Sequence, residues 1–243
     1  MGRLFLLFPL LFFVPHLFAS PIPKKSRALL VAVSDHWNSR QASLLLYRRA
    51  SAKDVWTRQN TSIPVHLGRR GLAWGRGLHP AQPGFQKREG DGKSPAGAFL
   101  LGNILYGYAE RPPIPGWRYR QVTDRDLWIE DPTSSLYNRH LILSAHEPFP
   151  ADHHYHLMRQ ADPAHALKLF IRHNAPPDAQ PGAGSAIFFH LCRGEDSVTT
   201  GCTSMEEPAF RTLLESFHPA DEPVYVLVPR AEYNRLRESW KLP

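Results

Sequence analysis

Short apolar segments, separated by polar or glycine-rich stretches, recur along most of the chain. The segments 26–34 (SRALLVAVS) and 42–47 (ASLLLY) flank a polar stretch, 35–41, that suits a turn, so together they predict a β-hairpin. Segments of this length that are rich in aliphatic and aromatic residues are typical of buried strands. Further strands are predicted at residues 63–67, 169–173, 186–190 and 224–228.

Helical periodicity is confined to a few segments. The clearest helix has apolar residues at the spacing i, i+3, i+4, i+7, namely Phe210, Leu213, Leu214 and Phe217. The Ser204-x-x-Glu207 pattern before it predicts a capping box. Other helices are predicted at residues 231–240, 153–159 and 163–170, and residues 110–150 are expected to form long surface loops. The predicted fold class is therefore mainly β with peripheral helices, in one domain that covers residues 27–243.

Glycine and proline strengthen the prediction of a β-rich, loop-rich fold. The chain contains 23 prolines among 243 residues, which favours many turns over a helical bundle. Two glycine-dense stretches, 68–77 and 87–99, predict tight turns and close approaches of the backbone. Neither stretch contains the GxxxxGK[ST] pattern of a phosphate-binding loop.

The first 20 residues have the features of a secretory signal peptide. Arg3 precedes an apolar run at residues 4–14, and the small residues Ala19 and Ser20 follow it. The run is shorter than the span of about 20 apolar residues that crosses a bilayer. The sequence thus predicts an exported protein without stable membrane insertion once residues 1–20 are removed. An uncleaved N-terminal anchor is the alternative.

The net charge of +7 suits an anionic partner. Basic residues are scattered along the chain rather than concentrated in one run, so we expect no nucleic-acid partner. A membrane face and a polymer of the cell wall remain as anionic partners that suit this charge.

One histidine and one cysteine stand in an arrangement that suits nucleophilic catalysis. His190 ends an apolar strand, and after 11 intervening residues Cys202 follows Gly201. A thiol is a weak nucleophile at neutral pH, because its usual pKa is about 8.5. A neighbouring imidazole can take the proton and leave a reactive thiolate. Gly201 would let backbone amides approach the oxyanion that then develops.

This segment resembles the catalytic domain of YkuD-type L,D-transpeptidases. One branch of that family carries an HxxRG…TxGC(T/V)xM signature, which His190, Arg193, Gly194 and residues 199–205 match. The chain also carries patches similar to those of that branch, at residues 71–75 (GLAWG), 87–99 (KREGDGKSPAGAF) and 173–174 (HN). The resemblance implies a β-sandwich-like catalytic domain and extends over residues 27–220.

The resemblance also implies roles for single residues. Cys202 would be the nucleophile and His190 the general base, which the carbonyl of Leu191 would orient. Backbone amides around Gly201 and Cys202 would stabilise the oxyanion. Arg193, Thr199 and Thr200 are the candidate substrate-binding residues. Two residues depart from the family pattern, since Thr200 replaces the usual histidine before Gly-Cys and Leu191 replaces the usual glycine after the base.

The family reaction is acyl transfer on peptidoglycan stem peptides, in the periplasm or cell wall of a bacterium. The thiolate would attack the carbonyl of the diamino acid at the third stem position and expel a terminal D-amino acid. An amine or water would then accept the acyl group. This chemistry requires no metal and no cofactor. The sequence leaves open the acceptor and the oligomeric state.

Two other functions remain open at this point. His153, His154 and His156 beside Asp152 could ligate zinc in a wall hydrolase, although the chain contains no HExxH motif. Alternatively, a disulfide between Cys192 and Cys202, the usual state of a cysteine pair in an exported chain, would leave an inactive wall-binding module. We expect Lys87 and Asp91 to order the glycine-rich loop and His173 to pack behind the site.

Overall fold

The computed structural model describes residues 20–59, 61–152, 154, 156–194 and 196–243. The predicted leader, residues 1–20, lies outside the described residues except for Ser20. The described strands are β1 (Ala28–Ser34), β2 (Gln41–Arg48), β3 (Thr57–Arg58), β4 (Ile63–His66), β5 (Leu72–Trp74), β6 (Ser94–Gly107), β7 (Arg118–Gln121), β8 (Asp126–Trp128), β9 (His140–Ile142), β10 (Leu167–Ile171), β11 (Phe188–Leu191), β12 (Thr203–Met205) and β13 (Val224–Pro229). The helices are α1 (Glu207–Glu215) and α2 (Arg230–Trp240).

Eight of these strands form a closed barrel. Their order around the ring is β1, β13, β6, β10, β11, β12, β4 and β2, and β2 returns to pair with β1. Most neighbours are antiparallel, but β1 runs parallel to β13 and β11 runs parallel to β12. The mainly β prediction is confirmed, and the helical part consists of two short helices. The sandwich-like arrangement that the resemblance implies is not confirmed, because eight of the described strands form one continuous ring.

The main hydrophobic core contains buried residues of the barrel strands together with the buried faces of α1 and α2. In β1 and β13 consecutive residues belong to it, so these strands are covered on both faces of the sheet. Phe189, Phe210 and Tyr225 are among the largest fully buried side chains. Since burial of an aromatic side chain stabilises a fold by about 1.5–3 kcal/mol, the interior contacts fix the positions of the strands that carry the site.

The apolar pattern located about half of the described strands and helices, and it missed the longest strand, β6. The hairpin of β1 and β2, the strands β4, β11 and β13, and the helices α1 and α2 all lie where the sequence predicted them. The helix predicted at 163–170 is wrong beyond a short 3₁₀ turn, because β10 begins at Leu167. The helix predicted at 153–159 includes residues 153 and 155, which the structure does not describe.

Two local predictions failed because tertiary contacts decided the structure. The capping box is absent, since Ser204 lies in β12 and α1 begins after Glu206 without a side-chain cap. Residues 110–150 are more than surface loops, because they carry β7, β8 and β9 and the buried Trp117 and Trp128. Within the part of the chain that the structure describes, no helix combines the length and apolar character needed to cross a membrane.

A buried carboxylate holds the layer formed by β8 and β9. Asp126 is fully buried and accepts hydrogen bonds from His140 at 2.8 Å, from Arg120 at 2.7 and 2.9 Å, and from the Thr123 amide and hydroxyl. Burial alone would raise the pKa of Asp126, but these hydrogen bonds outweigh it and hold the pKa well below its usual range.

We expect Asp126 to make stability sensitive to acid. A carboxylate whose pKa is depressed by folding contributes stability at neutral pH, and that contribution is lost progressively as the pH falls below about 4. Thermal unfolding of Asp126→Asn should therefore show a lower Tm than the wild type at pH 7 and a smaller further loss between pH 5 and pH 3. Asp124→Asn, at an exposed neighbouring position, serves as control. Equal losses of Tm on acidification in both variants would contradict this role.

Candidate active site

Three neighbouring strands place the candidate residues on the outer face of the barrel. On β11, Phe189 and Leu191 point into the interior core, while Phe188 and His190 alternate with them and line an outer cleft. On β10, Lys168 is directly opposite His190 in the antiparallel register. Residues that are separated in sequence thus meet on one face.

Cys202 reaches the same face from the segment before β12. Thr203 pairs with Phe189 in the parallel register, so Cys202 lies beside Phe188. The Phe188 amide donates a hydrogen bond to Cys202 Sγ at 3.4 Å. His190 is two residues further along β11 and is therefore a diagonal neighbour of the thiol.

The cleft above these residues has a volume of about 380 Å³ and is lined by both Cys202 and His190. Its apolar wall belongs to the layer of residues 122–158. Trp128 packs against Phe188 with 4.8 Å between the ring centroids, and Met158 belongs to the same buried cluster. The layer partly encloses the thiol and reduces its contact with water.

A buried asparagine fixes this layer to the segment before β11. Asn138 Oδ1 accepts hydrogen bonds from Trp128 Nε1 at 2.8 Å and from the Ala186 amide at 3.0 Å. Its Nδ2 donates to the carbonyls of His173 and Asn174 at 3.1 and 2.8 Å. Because all four partners are held by one side chain, the apolar wall and β11 are positioned together.

Cys202 packs against the buried cluster that contains Phe188, Trp128 and Met158. Sγ is 3.5 Å from the Ala186 carbonyl oxygen, to which the thiol donates. Burial raises the pKa of Cys202 to about 11, although the hydrogen bond from Phe188 opposes this effect. At neutral pH the group is therefore a thiol, and a base is required to convert it to the nucleophilic thiolate.

His190 has the properties of that base. Its Nδ1 is 2.7 Å from the Leu191 carbonyl oxygen. A carbonyl can only accept, so Nδ1 carries the proton and Nε2 is left with its lone pair. Burial lowers the pKa of His190 to about 4, so the ring is neutral at pH 7. The orienting contact with Leu191 is the one that the resemblance implies.

The loop before β12 is held by two hydroxyl groups. Thr199 Oγ1 and Ser94 Oγ donate to the Cys202 carbonyl at 2.7 and 3.0 Å. The Gly201 amide donates to Thr199 Oγ1 at 3.1 Å. Gly201 has φ of 152°, and a Cβ there would lie 3.0 Å from the Lys93 carbonyl oxygen, so the tight turn requires glycine. Thr199 is buried and holds this turn.

The other candidate substrate-binding residues differ in their surroundings. Arg193 lines the cleft, but its Nε already donates to Asp162 Oδ2 at 2.7 Å and a second nitrogen forms an ion pair with the same oxygen. A substrate carboxylate would have to share the Arg193 guanidinium with Asp162 or displace Asp162 from it. Thr200 is exposed and lines the cleft, where a ligand can reach its hydroxyl.

The glycine-rich patch of residues 87–99 lies against the nucleophile loop. Lys87 Nζ donates to Asp91 Oδ1 at 2.6 Å, and Asp91 also accepts from the amides of Arg88 and Lys93 at 2.9 Å. These bonds order the loop, as the sequence suggested. His173 is fully buried and bridges the Arg76 amide and the Ala183 carbonyl, so it packs behind the site.

The two cysteines are both free. In the parallel register Cys202 lies beside Phe188, and Cys192 follows Phe188 by four residues along the chain. At the rise per residue of a strand, the two cysteines are about 13 Å apart. A disulfide requires Cα atoms within about 7 Å. Cys192 Sγ instead donates to Glu206 Oε1 at 2.8 Å. The folded chain therefore lacks the disulfide of the wall-binding alternative.

The histidines considered for zinc do not form a ligand group in the described part of the chain. His153 lies outside the described residues. His156 Nδ1 accepts from the Glu130 amide at 3.2 Å. Among the described residues, no cluster of three or more histidine, cysteine, aspartate or glutamate side chains could hold a metal ion.

Sequence reasoning missed two charged residues of the cleft, Lys168 and Glu130. Lys168 is 3% exposed and its Nζ donates to the Met158 carbonyl at 2.8 Å. Burial raises the pKa of Glu130 to about 7, and the Glu89 carboxylate adds to this effect. The one signal for Lys168 in the sequence is a single charge within the apolar segment LKLFI.

Comparison of the chain with protein-family models, with curated proteins and with solved structures gives no significant match. The geometry of the cleft and the motifs of the sequence therefore carry the functional argument.

Proposed function

We propose that the protein is a cysteine-dependent acyltransferase of the L,D-transpeptidase type that acts on peptidoglycan stem peptides. One observation carries this proposal. The Cys202 thiol and a neutral imidazole, His190, share one cleft, and the Leu191 carbonyl fixes the imidazole so that its basic Nε2 is unprotonated. A nucleophile, a base and an orienting group are the parts that acyl transfer through a thioester requires.

The first half-reaction would form the acyl-enzyme. His190 Nε2 accepts the Cys202 proton, and the thiolate attacks the carbonyl carbon of the third stem residue. The tetrahedral intermediate then collapses as the C–N bond breaks, and the imidazolium returns its proton to the amine of the departing D-amino acid. Cys202 is left as a thioester and His190 is neutral again.

The second half-reaction would release the acyl group. An acceptor amine loses its proton to His190 and attacks the thioester, which gives a cross-link and restores the thiol. Water as acceptor would give hydrolysis. Of the amides to which the resemblance assigns the oxyanion, that of Gly201 is engaged by Thr199 Oγ1. It becomes available only when it exchanges this hydrogen bond for one to the substrate.

The charges of the cleft support a zwitterionic substrate. Arg193 and Lys168 lie on its wall together with Glu89 and Glu130. A stem peptide with a diamino acid carries both carboxylate and ammonium groups. Each charge of such a substrate therefore has side chains of the opposite charge on the wall of the cleft. The net charge of +7 suits an anionic wall polymer. This function also fits the export signal and a location in the periplasm or cell wall.

Mass spectrometry of the purified protein with a synthetic tetrapeptide stem would test the proposal. We expect a covalent adduct equal to the stem without its terminal residue, together with release of the free D-amino acid. Addition of a diamino acid should give a cross-linked product, and a metal chelator should leave the rate unchanged. Neither an adduct nor released amino acid after prolonged incubation would refute the proposed function.

A further inference from the structure

A buried ammonium group lies in the cleft without a matching acidic partner. Lys168 is 3% exposed, and the Met158 carbonyl takes one of its three donors. Its Nζ is 5.4 Å from the centroid of the Phe188 ring. Among the described residues, no carboxylate forms an ion pair with Lys168. Burial of an uncompensated charge is unfavourable, so the position calls for a functional explanation.

The neighbours of Lys168 are the reacting groups of the site. His190 is directly opposite on β11, and Phe188, whose amide contacts the Cys202 sulfur, is the ring that faces the ammonium. Lys168 and Cys202 line the same cleft, so a negative charge that develops on the sulfur lies within reach of the buried ammonium group. The two charges favour each other, because a Cys202 anion favours the charged form of Lys168.

The other charged groups near the sulfur do not replace Lys168. Lys87 is also close to Cys202, but its charge is neutralised by Asp91 at 2.6 Å. His190 is neutral before it takes the thiol proton. The Glu130 carboxylate acts in the opposite direction, because it disfavours a thiolate.

We propose that Lys168 stabilises the Cys202 thiolate from within the fold and that Glu130 opposes it, so that this pair sets the reactivity of the nucleophile. The proposal rests on the proposed role of Cys202. Lys168 keeps its own proton throughout. The thiol proton passes to His190 Nε2, and the ammonium lowers the energy of the sulfur anion that remains.

The titrating groups around the sulfur predict an unusual pH dependence. Burial lowers the pKa of Lys168 to about 8, and burial raises that of Glu130 to about 7. Two histidines also line the cleft, His190 on β11 and His165 in the 3₁₀ turn at Pro163–His165. Burial lowers the pKa of both, so both are neutral between pH 7 and pH 9. As the pH rises from 7 to 9, Glu130 gains its charge and Lys168 loses its own. Both changes disfavour the thiolate, so thiol reactivity should rise less than tenfold per pH unit.

The rate of alkylation by iodoacetamide tests this role without any wall substrate. All variants carry Cys192→Ser, so that Cys202 is the only thiol. Lys168→Met should slow alkylation at pH 7 about tenfold, the effect of a rise of about one in the thiol pKa. Lys168→Arg should retain most of the rate, and Glu130→Gln should increase it. Lys25→Met, an exposed lysine paired with Glu222, should match the wild type.

General disruption of the cleft would slow alkylation in both variants, so it cannot explain opposite effects of Lys168→Met and Glu130→Gln. If Lys168→Met does not fold, the rates of Lys168→Arg and Glu130→Gln still test the proposal. Unchanged rates in both Lys168→Met and Glu130→Gln, or rates that fall in both, would overturn the proposal, and an unchanged or lower rate in Glu130→Gln would do so if Lys168→Met does not fold. The outcome is independent of the proposed function. If the alkylation rates shift as expected but no stem peptide acylates Cys202, the acyltransferase function fails and the role of Lys168 stands. If the stem peptide acylates Cys202 but the alkylation rates do not shift, the acyltransferase function stands and the role of Lys168 fails.

Discussion

Substitution of Cys202 by alanine is expected to abolish the covalent adduct with a stem peptide and to reduce release of the D-amino acid to the uncatalysed rate. In the proposed mechanism the thioester forms on this sulfur, and the position of the second cysteine prevents it from replacing Cys202. Cys192 lies about 13 Å further along the neighbouring strand, where it donates to Glu206. The measurement is intact mass after incubation, combined with chromatographic detection of the free amino acid.

Cys192→Ser is the matched control for this experiment. It removes the same functional group from the same chain and should keep both the adduct and the turnover. An adduct that persists in Cys202→Ala and disappears in Cys192→Ser would assign the nucleophile to the other cysteine. Adducts in both single variants would indicate acylation of a different residue type.

Substitution of His190 by alanine should slow formation of the acyl-enzyme by about 10²–10⁴, the usual contribution of a general base. The pKa of Cys202 is raised to about 11, so the thiolate fraction at pH 7 without a base is very small. The loss should diminish as the pH rises, because hydroxide then replaces the imidazole as the proton acceptor. Single-turnover kinetics between pH 6 and pH 10 would measure this change in slope.

A histidine outside the cleft provides the comparison for His190. His36 is exposed in the turn between β1 and β2, so His36→Ala should leave the acylation rate unchanged. Added imidazole should partly restore His190→Ala, since the cavity left by the ring opens on the cleft. A rate for His190→Ala within twofold of the wild type at pH 7 would exclude the residue as the base.

Local patterns predicted about half of the strands and indicated His190 and Cys202 as candidate residues, because both kinds of prediction depend on neighbours in sequence. The apolar segments that became β1, β2 and β13 each have a clear boundary of polar or glycine residues. The arrangement of these strands around the ring depends instead on contacts between distant residues. The parallel pairing of β1 with β13 joins residues separated by nearly the whole described chain, and no local pattern encodes it.

The residues of the candidate site show the same difference between local patterns and contacts of distant residues. His190 and Cys202 could be found because their spacing and the adjacent glycine indicate their chemistry. Lys168 could not, because a single lysine in an apolar strand has meaning only once the opposite residue in the register is known. Arg193 was predicted as a ligand of the substrate, yet its ion pair with Asp162 depends on a loop 31 residues earlier in the chain.

The strand that closes the ring is among the last segments of the chain to be synthesised. β13 lies between β1 and β6, so a chain that ends before residue 224 leaves both strands with unpaired edges. Open edges pair with other chains, and shortened or partly synthesised molecules should therefore aggregate rather than fold. Because β1 must wait for almost the entire chain before its second neighbour exists, folding depends on distant contacts and should be slow. Until β13 has joined β1 and β6, the strands that carry the cleft, β10, β11 and β12, therefore belong to an open sheet.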